Sequence, residues 1–487
     1  MSQVDVVLVK PGSQKQLYGE LSIFKLTGIE PPLWAALLAA YLRSQGFAVE
    51  IFDAEVENWS YEETAQKIME VRPILLAVVA SGTNPSASTM NMTGAGAVVH
   101  LLKEVAPEIK TILMGLHPSA LPEQTLAEEA VDFVCEGEGI YTLPKLIDAL
   151  KSKQGFSQIE GLWFREYGKI VSNPRAPLVK NLDELPMPAW GLLPMAKYRA
   201  HNWHCFDNIE SRQPYAVIYT SLGCPFRCSF CCINALFGQR GIRYRSPELV
   251  IEEIDYLVRN YGARNIKILD EMFALKQSHV YRLCELIIER GYDLNIWAYA
   301  RVNTVNEKLL QRMKQAGINW VSYGFESASY EVLQKINKGY DLHTVDSVVR
   351  MSRNAGTYIL ANFIFGLPDE DLASMQATLD LATRINAEWT NFYCAMAYPG
   401  SRLYEQAIKE GWTLPETWQG YSQYAYETLP LPTKHLSASD VLRFRDHAFQ
   451  VYYSNQRYLE MITRKFSPRV ANHIREMVSH KLVRRHA

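Results

Sequence analysis

Short runs of apolar, often β-branched residues alternate with helix-length amphipathic stretches through the first part of the chain. The runs are VDVVLV (4–9), AVEIFDAE (48–55), ILLAVVAS (74–81), KTILMGLH (110–117) and VDFVCEGEG (131–139). Between and after them lie PPLWAALLAAYLRSQG, SYEETAQKIMEV, GAGAVVHLLKEVAP and TLPKLIDALK. The apolar runs are continuous rather than alternating, as in strands covered on both faces, and their alternation with helices predicts a doubly wound, Rossmann-like parallel sheet over residues 1–150.

Residues 151–208 break this rhythm. Short alternating pieces, GLWFRE and KIVSN, precede DELPMPAWGLLP, whose prolines block regular structure and read as a linker between domains. A second alternation then occupies residues 209–400, with strands expected in YAVIYTSLG, NIKILD, LNIWAYA, NWVSYGFES, YILANFIFG and WTNFYCAMAY, each followed by helical sequence. Six such units are too few to close an eight-stranded barrel, so an open (β/α)6 partial barrel is predicted. Residues 401–487 read as a helical C-terminal region. The fold class is therefore α/β.

A content of 48% hydrophobic residues, with 10 Trp and 27 Tyr, is that of a globular chain. Its net charge of −2 gives no reason to expect nucleic acid or an anionic membrane as the main partner. The last stretch, from Tyr452, is locally basic through Arg457, Arg464, Lys465, Arg469, Arg475, Lys481, Arg484 and Arg485. It reads as a solvated helical face, with a surface for an acidic substrate, lipid or partner as the alternative. No stretch at the start has the pattern of a secretory signal, and no run of about 18 apolar residues suits a membrane span, so a cytoplasmic protein is expected. In that reducing compartment a tight group of cysteines points to metal binding or catalysis rather than disulfides.

Such a group exists. SLGCPFRCSFCC sets Cys224, Cys228 and Cys231 at spacings of four and three, just past the first barrel strand. An Fe-S cluster that only transfers electrons takes four cysteine sulfurs, so three leave one iron open to an exogenous ligand. A zinc site would want a fourth Cys or His at its own spacing, and none follows in the next turn. Buried structural thiols seldom come as a run in a Gly/Pro-flanked loop, and Cys232 fits the spacing worse than Cys231.

CPFRCSFC resembles the CxxxCxΦC signature of radical S-adenosylmethionine enzymes, with Phe230 as the aromatic before the third cysteine. The resemblance implies a 4Fe-4S cluster whose open iron binds S-adenosylmethionine and whose electron releases a 5′-deoxyadenosyl radical. It also implies a low-potential electron donor of the flavodoxin or ferredoxin type. Other strand ends take roles by the same resemblance. Asp270 and Glu271 stand where the family has a glycine-glycine-glutamate motif that receives the amino group, and the departure makes backbone carbonyls the expected acceptors. Arg301 is expected on the methionine carboxylate, a match of guanidinium fork to carboxylate. Glu326 and Ser327 are expected at the ribose and carboxylate, and Gly366 and Pro368, with Pro399 and Gly400 beside them, at the adenine. Against each acid stands the plainer reading of a paired or solvated strand-end carboxylate.

In the N-terminal domain the loops after strands hold Pro11 and Gly12, then Ser81 and Gly82, Gly115, His117 and Pro118, and Glu136, Gly137, Glu138 and Gly139. Small residues there allow close backbone approach to a bulky ligand, and the absence of GxGxxG disfavours a dinucleotide. GLHPSALPEQTL with VDFVCEGEG ahead of such a barrel resembles the cobalamin-binding subfamily, the class B radical methyltransferases. That resemblance implies cobalamin contacts from Pro11, Ser81, Gly82, Gly115, His117, Glu136, Gly137 and Glu138. The DxHxxG motif that supplies an axial histidine in other cobalamin proteins is absent, so cobalamin is expected without histidine ligation from this domain. Methylthiotransferases carry further cluster cysteines in this region, where the chain has only Cys135.

The implied activity is hydrogen abstraction from an unactivated carbon of a small-molecule substrate, followed by methyl transfer from methylcobalamin. Cobalamin-dependent ring closure or rearrangement without methyl transfer is one alternative. A cobalamin sensor or carrier with a vestigial barrel is another.

Overall fold

The computed structural model describes residues 4–12, 17–18, 27–82, 84 and 87–487. Among these residues the first sheet is built from β1 (Val6–Lys10), β2 (Val49–Asp53), β3 (Leu75–Val79), β4 (Lys110–Met114), β5 (Phe133–Cys135), β6 (Leu162–Glu166) and β7 (Lys169–Ser172), in the order 2-1-3-4-5-6-7. The first five are parallel, and β1, β3 and β5 are wholly buried, as continuous apolar runs with helices on both faces require. GLWFRE and KIVSN, within the expected connecting stretch, become β6 and β7 and extend this sheet by an antiparallel hairpin.

The second sheet follows β8 (Tyr215–Ile218). A small hairpin of β9 (Ser221–Leu222) and β10 (Arg243–Tyr244) comes next, then β11 (Asn265–Ile268), β12 (Asn295–Ala300), β13 (Ile318–Glu326), β14 (Tyr358–Phe365) and β15 (Trp389–Cys394). β8 and β11–β15 form one parallel six-stranded sheet in the order 15-14-13-12-11-8, an open barrel whose edges are β8 and β15. The helices that follow its strands are punctuated as their sequences dictate. Ser246–Pro247 opens the helix to Tyr261 with proline at its first position, and glycines 262, 291 and 356 stop three helices in the left-handed conformation.

An edge strand exposes unpaired N–H and C=O groups, and β15 has them covered by side chains of the C-terminal region. Tyr453, on the helix Ala438–Tyr453, accepts from the Thr390 N–H at 3.0 Å and donates to the Thr390 carbonyl at 2.6 Å. Arg445 on the same helix donates Nε to the Phe392 carbonyl at 2.8 Å. Gln423 accepts from the Cys394 N–H at 2.8 Å and donates to its carbonyl at 3.1 Å. Three side chains thus do the work of a seventh strand.

The two domains also join directly. Glu30, from the N-terminal domain, reaches into the barrel to meet Lys267 of β11 at 3.1 Å, and both are nearly fully buried. Among the described residues no helix is long and apolar enough to cross a membrane.

Candidate functional site

A single cavity of about 850 Å³ lies between the ends of β3 and β4, the cysteine loop, the barrel lumen and the C-terminal helices. Cys224, Cys228 and Cys231 line it and are part-exposed; Cys232 borders it too but is only 2% exposed and packs with side chains of the N-terminal domain. The loop is tight because Gly223 adopts φ +96°, where an added Cβ would meet the Gly241 carbonyl at 2.5 Å. Its N–H donates to Glu271 at 3.1 Å, the Cys231 N–H closes on the Cys228 carbonyl at 3.2 Å, and Ser229 is pinned from both sides by Ile336 and Leu403.

Burial pushes the Cys224 thiol up to about 11 and holds the Cys231 thiol well above its ordinary value. Such thiols ionise readily only beside a cationic centre, which is what a cluster iron provides. Among the described residues no three His, Cys, Asp or Glu side chains converge as they would on a single ion. A cubane with one open iron takes three thiolates, each on its own iron, and three loop cysteines lining one cavity are that donor set.

Around the loop the barrel supplies charges. Arg301, 6% exposed, lines the cavity with its guanidinium 4.0 Å from the Phe226 ring centre, and only Asn303 shares its Nε. Among the described residues no carboxylate lies within ion-pair distance of it, so it offers its charge to the cavity. Glu326, at φ +59°, lines the wall paired with Lys338 at 2.7 Å, and Lys338 in turn lies 5.8 Å from the Phe230 ring. Glu271 also faces the cavity, and burial with Asp270 beside it pushes its carboxyl up to about 7.

Other residues expected here stand elsewhere. Asp270 is fully buried and spent on Thr220 N–H (2.7 Å), Thr220 Oγ1 (2.6 Å) and Ser221 Oγ (2.5 Å), which fastens the end of β11 to the segment leading into the cysteine loop. Ser327, also fully buried, donates to Glu370 at 3.0 Å, and Glu370 accepts from the Gly366 and Leu367 N–H groups. Gly366, at φ +80°, packs against Val441, where an added Cβ would collide at 2.3 Å, and the Pro368 carbonyl accepts from Lys434. Gly400 sits where a Cβ would press on Ala235 and Ala120, so this turn, with Pro399, seals the seam between the domains.

In the N-terminal domain Ser81, Gly82 and Gly115 line the cavity at the carboxyl ends of β3 and β4, the usual ligand crevice of such sheets. Pro11 is buried outside the lining. His117 is 1% exposed with its ring between Thr89 (3.2 Å) and Trp418 (4.6 Å), and burial pulls its pKa down to about 4. No histidine of the described residues 4–150 lines the cavity. Gly137 donates its N–H to Ser119, and its flanking acids are ion-pair partners rather than lining residues. Glu136 takes Arg175 at 2.7 Å and Trp163 at 2.9 Å, while Glu138 takes Arg243 at 2.7 Å.

Several cavity residues were not singled out from sequence. Lys338 and Phe226 had no isolated signal beyond their neighbours. Lys267 did have one, as a lysine in the middle of the apolar strand NIKILD. Asn362 and Asn391 form a polar rung inside the lumen, 3.0 Å apart. Four of the eight basic C-terminal residues are ion-paired, Lys465 with Glu388, Arg469 with Glu210, Arg484 with Asp446 and Arg485 with Glu427, and Lys481 lines the cavity.

The chain matches the radical SAM superfamily over residues 218–382 and the B12-binding domain over residues 20–147. It is 32% identical to an uncharacterized methyltransferase of Pyrococcus horikoshii, over 94% of each chain. It is 27% identical to the anaerobic magnesium-protoporphyrin IX monomethyl ester cyclase of Rubrivivax gelatinosus, over 78% of this chain and 67% of that one. Among solved structures it superposes on the radical S-adenosylmethionine methyltransferase TsrM of Kitasatospora setae, determined with cobalamin and a [4Fe-4S] cluster. That match has a TM-score of 0.69 at 16% identity and covers 99% of this chain and all of that one.

Proposed function

The chain belongs to the cobalamin-binding radical S-adenosylmethionine enzymes, and from that premise we propose that it methylates an unactivated carbon of a small-molecule substrate. Its cofactors are a 4Fe-4S cluster, S-adenosylmethionine and cobalamin. One observation carries the reading: the three loop cysteines and the crevice ends of β3 and β4 line the same cavity. When bound, the cluster supplies the electron that splits S-adenosylmethionine, and cobalamin supplies the methyl group.

The residues divide the remaining work. Cys224, Cys228 and Cys231 hold the cluster. Arg301 binds the methionine carboxylate, fixed in direction by Phe226 and Asn303. Glu326 takes the ribose hydroxyls while its ion pair with Lys338 fixes its direction. Ser81, Gly82 and Gly115 let the corrin approach the sheet. Asp270, Ser327 and Glu370 position the strand ends, and Glu136 and Glu138 set the spacing of the two domains. The barrel lumen and the C-terminal helices close round the substrate and keep water out. A flavodoxin- or ferredoxin-type donor feeds the cluster, in a reducing, cytoplasmic setting that keeps the thiols available.

The test is anaerobic reconstitution with iron, sulfide and cobalamin, followed by assay for 5′-deoxyadenosine and mass spectrometry of products. A product gaining one methyl group, together with S-adenosylhomocysteine, is expected. Deoxyadenosine with an isomerised or ring-closed product would favour cyclisation, the activity in the name of the Rubrivivax relative. No deoxyadenosine at all would remove the enzymatic reading.

A further inference from the structure

The charges lining the cavity do not cancel. Glu326 is matched by Lys338, Lys267 is matched by Glu30, Glu271 accepts from the Gly223 N–H beside the cysteine loop, Arg301 is assigned above to the methionine carboxylate, and Lys481 adds a further cation on the C-terminal side. On the side formed by the C-terminal helices, Asp446 serves two guanidinium groups at once. Arg484 grips it with Nε and Nη2, both at 2.9 Å, and Arg445 reaches it with Nη1 at 2.7 Å. Arg484 is satisfied by these bonds and by others to Gln423, Ala425 and Thr428. Arg445 is not. Its Nε caps Phe392 and its Nη1 holds Asp446, while among the described residues Nη2 has no partner. The residue is only 3% exposed, yet it lines the cavity. Two guanidinium groups on one carboxylate leave a surplus positive charge in a poorly solvated wall, where a single anion gains much more than it would in water.

The surroundings are flat and apolar. The Arg445 guanidinium lies 5.2 Å from the Tyr424 ring and 5.9 Å from that of Phe449. Tyr18 packs on Tyr424 at 5.6 Å, and Tyr393 faces the same space from β15. Rings of this kind present faces to a planar ligand while the guanidinium fork matches a carboxylate.

We infer that the substrate is a planar aromatic or conjugated carboxylate whose anionic group docks on Arg445, between Tyr424 and Phe449. This rests on the reading that the cavity holds the substrate. The step is binding only, and no bond is made or broken at Arg445.

The probe is 2-naphthoate, with the uncharged 2-naphthamide as control, measured by equilibrium dialysis against the anaerobically reconstituted full-length protein. Naphthoate is expected to bind about tenfold or more tighter than the amide. Arg445→Met should erase that preference, weakening naphthoate far more than the amide. Asp446→Asn, which removes a competitor for the guanidinium, should tighten naphthoate by about threefold, whereas a purely structural Asp446 would give no gain. Absence of naphthoate binding, equal binding of the two probes, or a preference that survives Arg445→Met overturns the inference. Should Arg445→Met fail to fold because β15 loses a cap, Asp446→Asn decides, and naphthoate affinity that is unchanged or weaker is then the overturning result. 5′-Deoxyadenosine formation is followed in the same wild-type preparation. Cleavage without naphthoate preference counts against the substrate class alone, and loss of cleavage counts against the proposed function.

Discussion

Arg175 donates Nη1 to Glu136 at 2.7 Å and, with Nη2, reaches the carbonyls of Ala235 and Leu236 just beyond the cysteine loop. One guanidinium therefore ties the last parallel strand of the N-terminal domain to the segment that carries the cluster ligands. Glu138 does the same through Arg243 of the β9–β10 hairpin. The acids of the EGEG loop hold the two domains at a fixed separation, and in a reaction that needs two cofactors and a substrate in one cavity that separation is part of the chemistry.

Arg175→Met should loosen this seam without touching either cofactor site directly. The pair is mostly buried, so removing one partner should cost about 2 kcal/mol. Denaturant unfolding of the reconstituted protein measures it, and limited proteolysis should cut the connecting segment sooner. An unchanged midpoint and cleavage pattern would show that the clamp is dispensable.

Glu370 gives a pH signature. Burial pushes its carboxyl up to about 7, against three donors that favour the ionised form. Because the folded value lies above the unfolded one, its contribution is fully present below about 4.5 and is lost as pH rises through about 7. Gln at this position can still accept from Gly366 and Leu367 and cannot titrate. The stability of the wild type relative to Glu370→Gln should therefore fall by about 2–3 kcal/mol between pH 5 and pH 8. Paired denaturation curves across that range check it, and a difference that rises with pH would reverse the assignment.

Gln423 supplies both bonds that cover Cys394 at the end of β15. Truncation to Ala leaves a buried N–H and a buried carbonyl unpaired, at an expected cost of about 2–3 kcal/mol. Hydrogen exchange at the Cys394 amide should accelerate in the variant while the β12 and β13 amides keep their protection. Uniform loss across the barrel would instead mean that the edge is not a local unit.

The strands were legible because burial on both faces writes itself as unbroken apolar runs, and the cluster loop because three cysteines at fixed spacing have few physical uses. The strand-end acids were harder. Asp270, Glu136 and Glu138 sit in loops that commonly meet ligands, but their partners Thr220, Arg175 and Arg243 lie tens of residues away or more. Only the fold reveals that these carboxylates are already engaged. The caps on β15 were illegible for the same reason, since Gln423, Arg445 and Tyr453 carry no motif and matter only because β15 is an edge.

Cys231 and Cys232 are adjacent, and their surroundings make the sharpest test of the cluster. Both border the cavity and pack against the N-terminal domain core, but Cys231 is part-exposed whereas Cys232 is buried. Replacing Cys224, Cys228 or Cys231 by Ala removes one of three thiolates, and a cubane held by two protein ligands should not survive purification. Each variant is expected to lose the iron, the broad visible absorbance and the formation of 5′-deoxyadenosine. Cys232→Ala should keep all three, with a packing loss of about 1 kcal/mol from the small cavity it leaves. Iron retained in Cys231→Ala but lost in Cys232→Ala would exchange the roles of the two residues and move the third ligand one position along the loop.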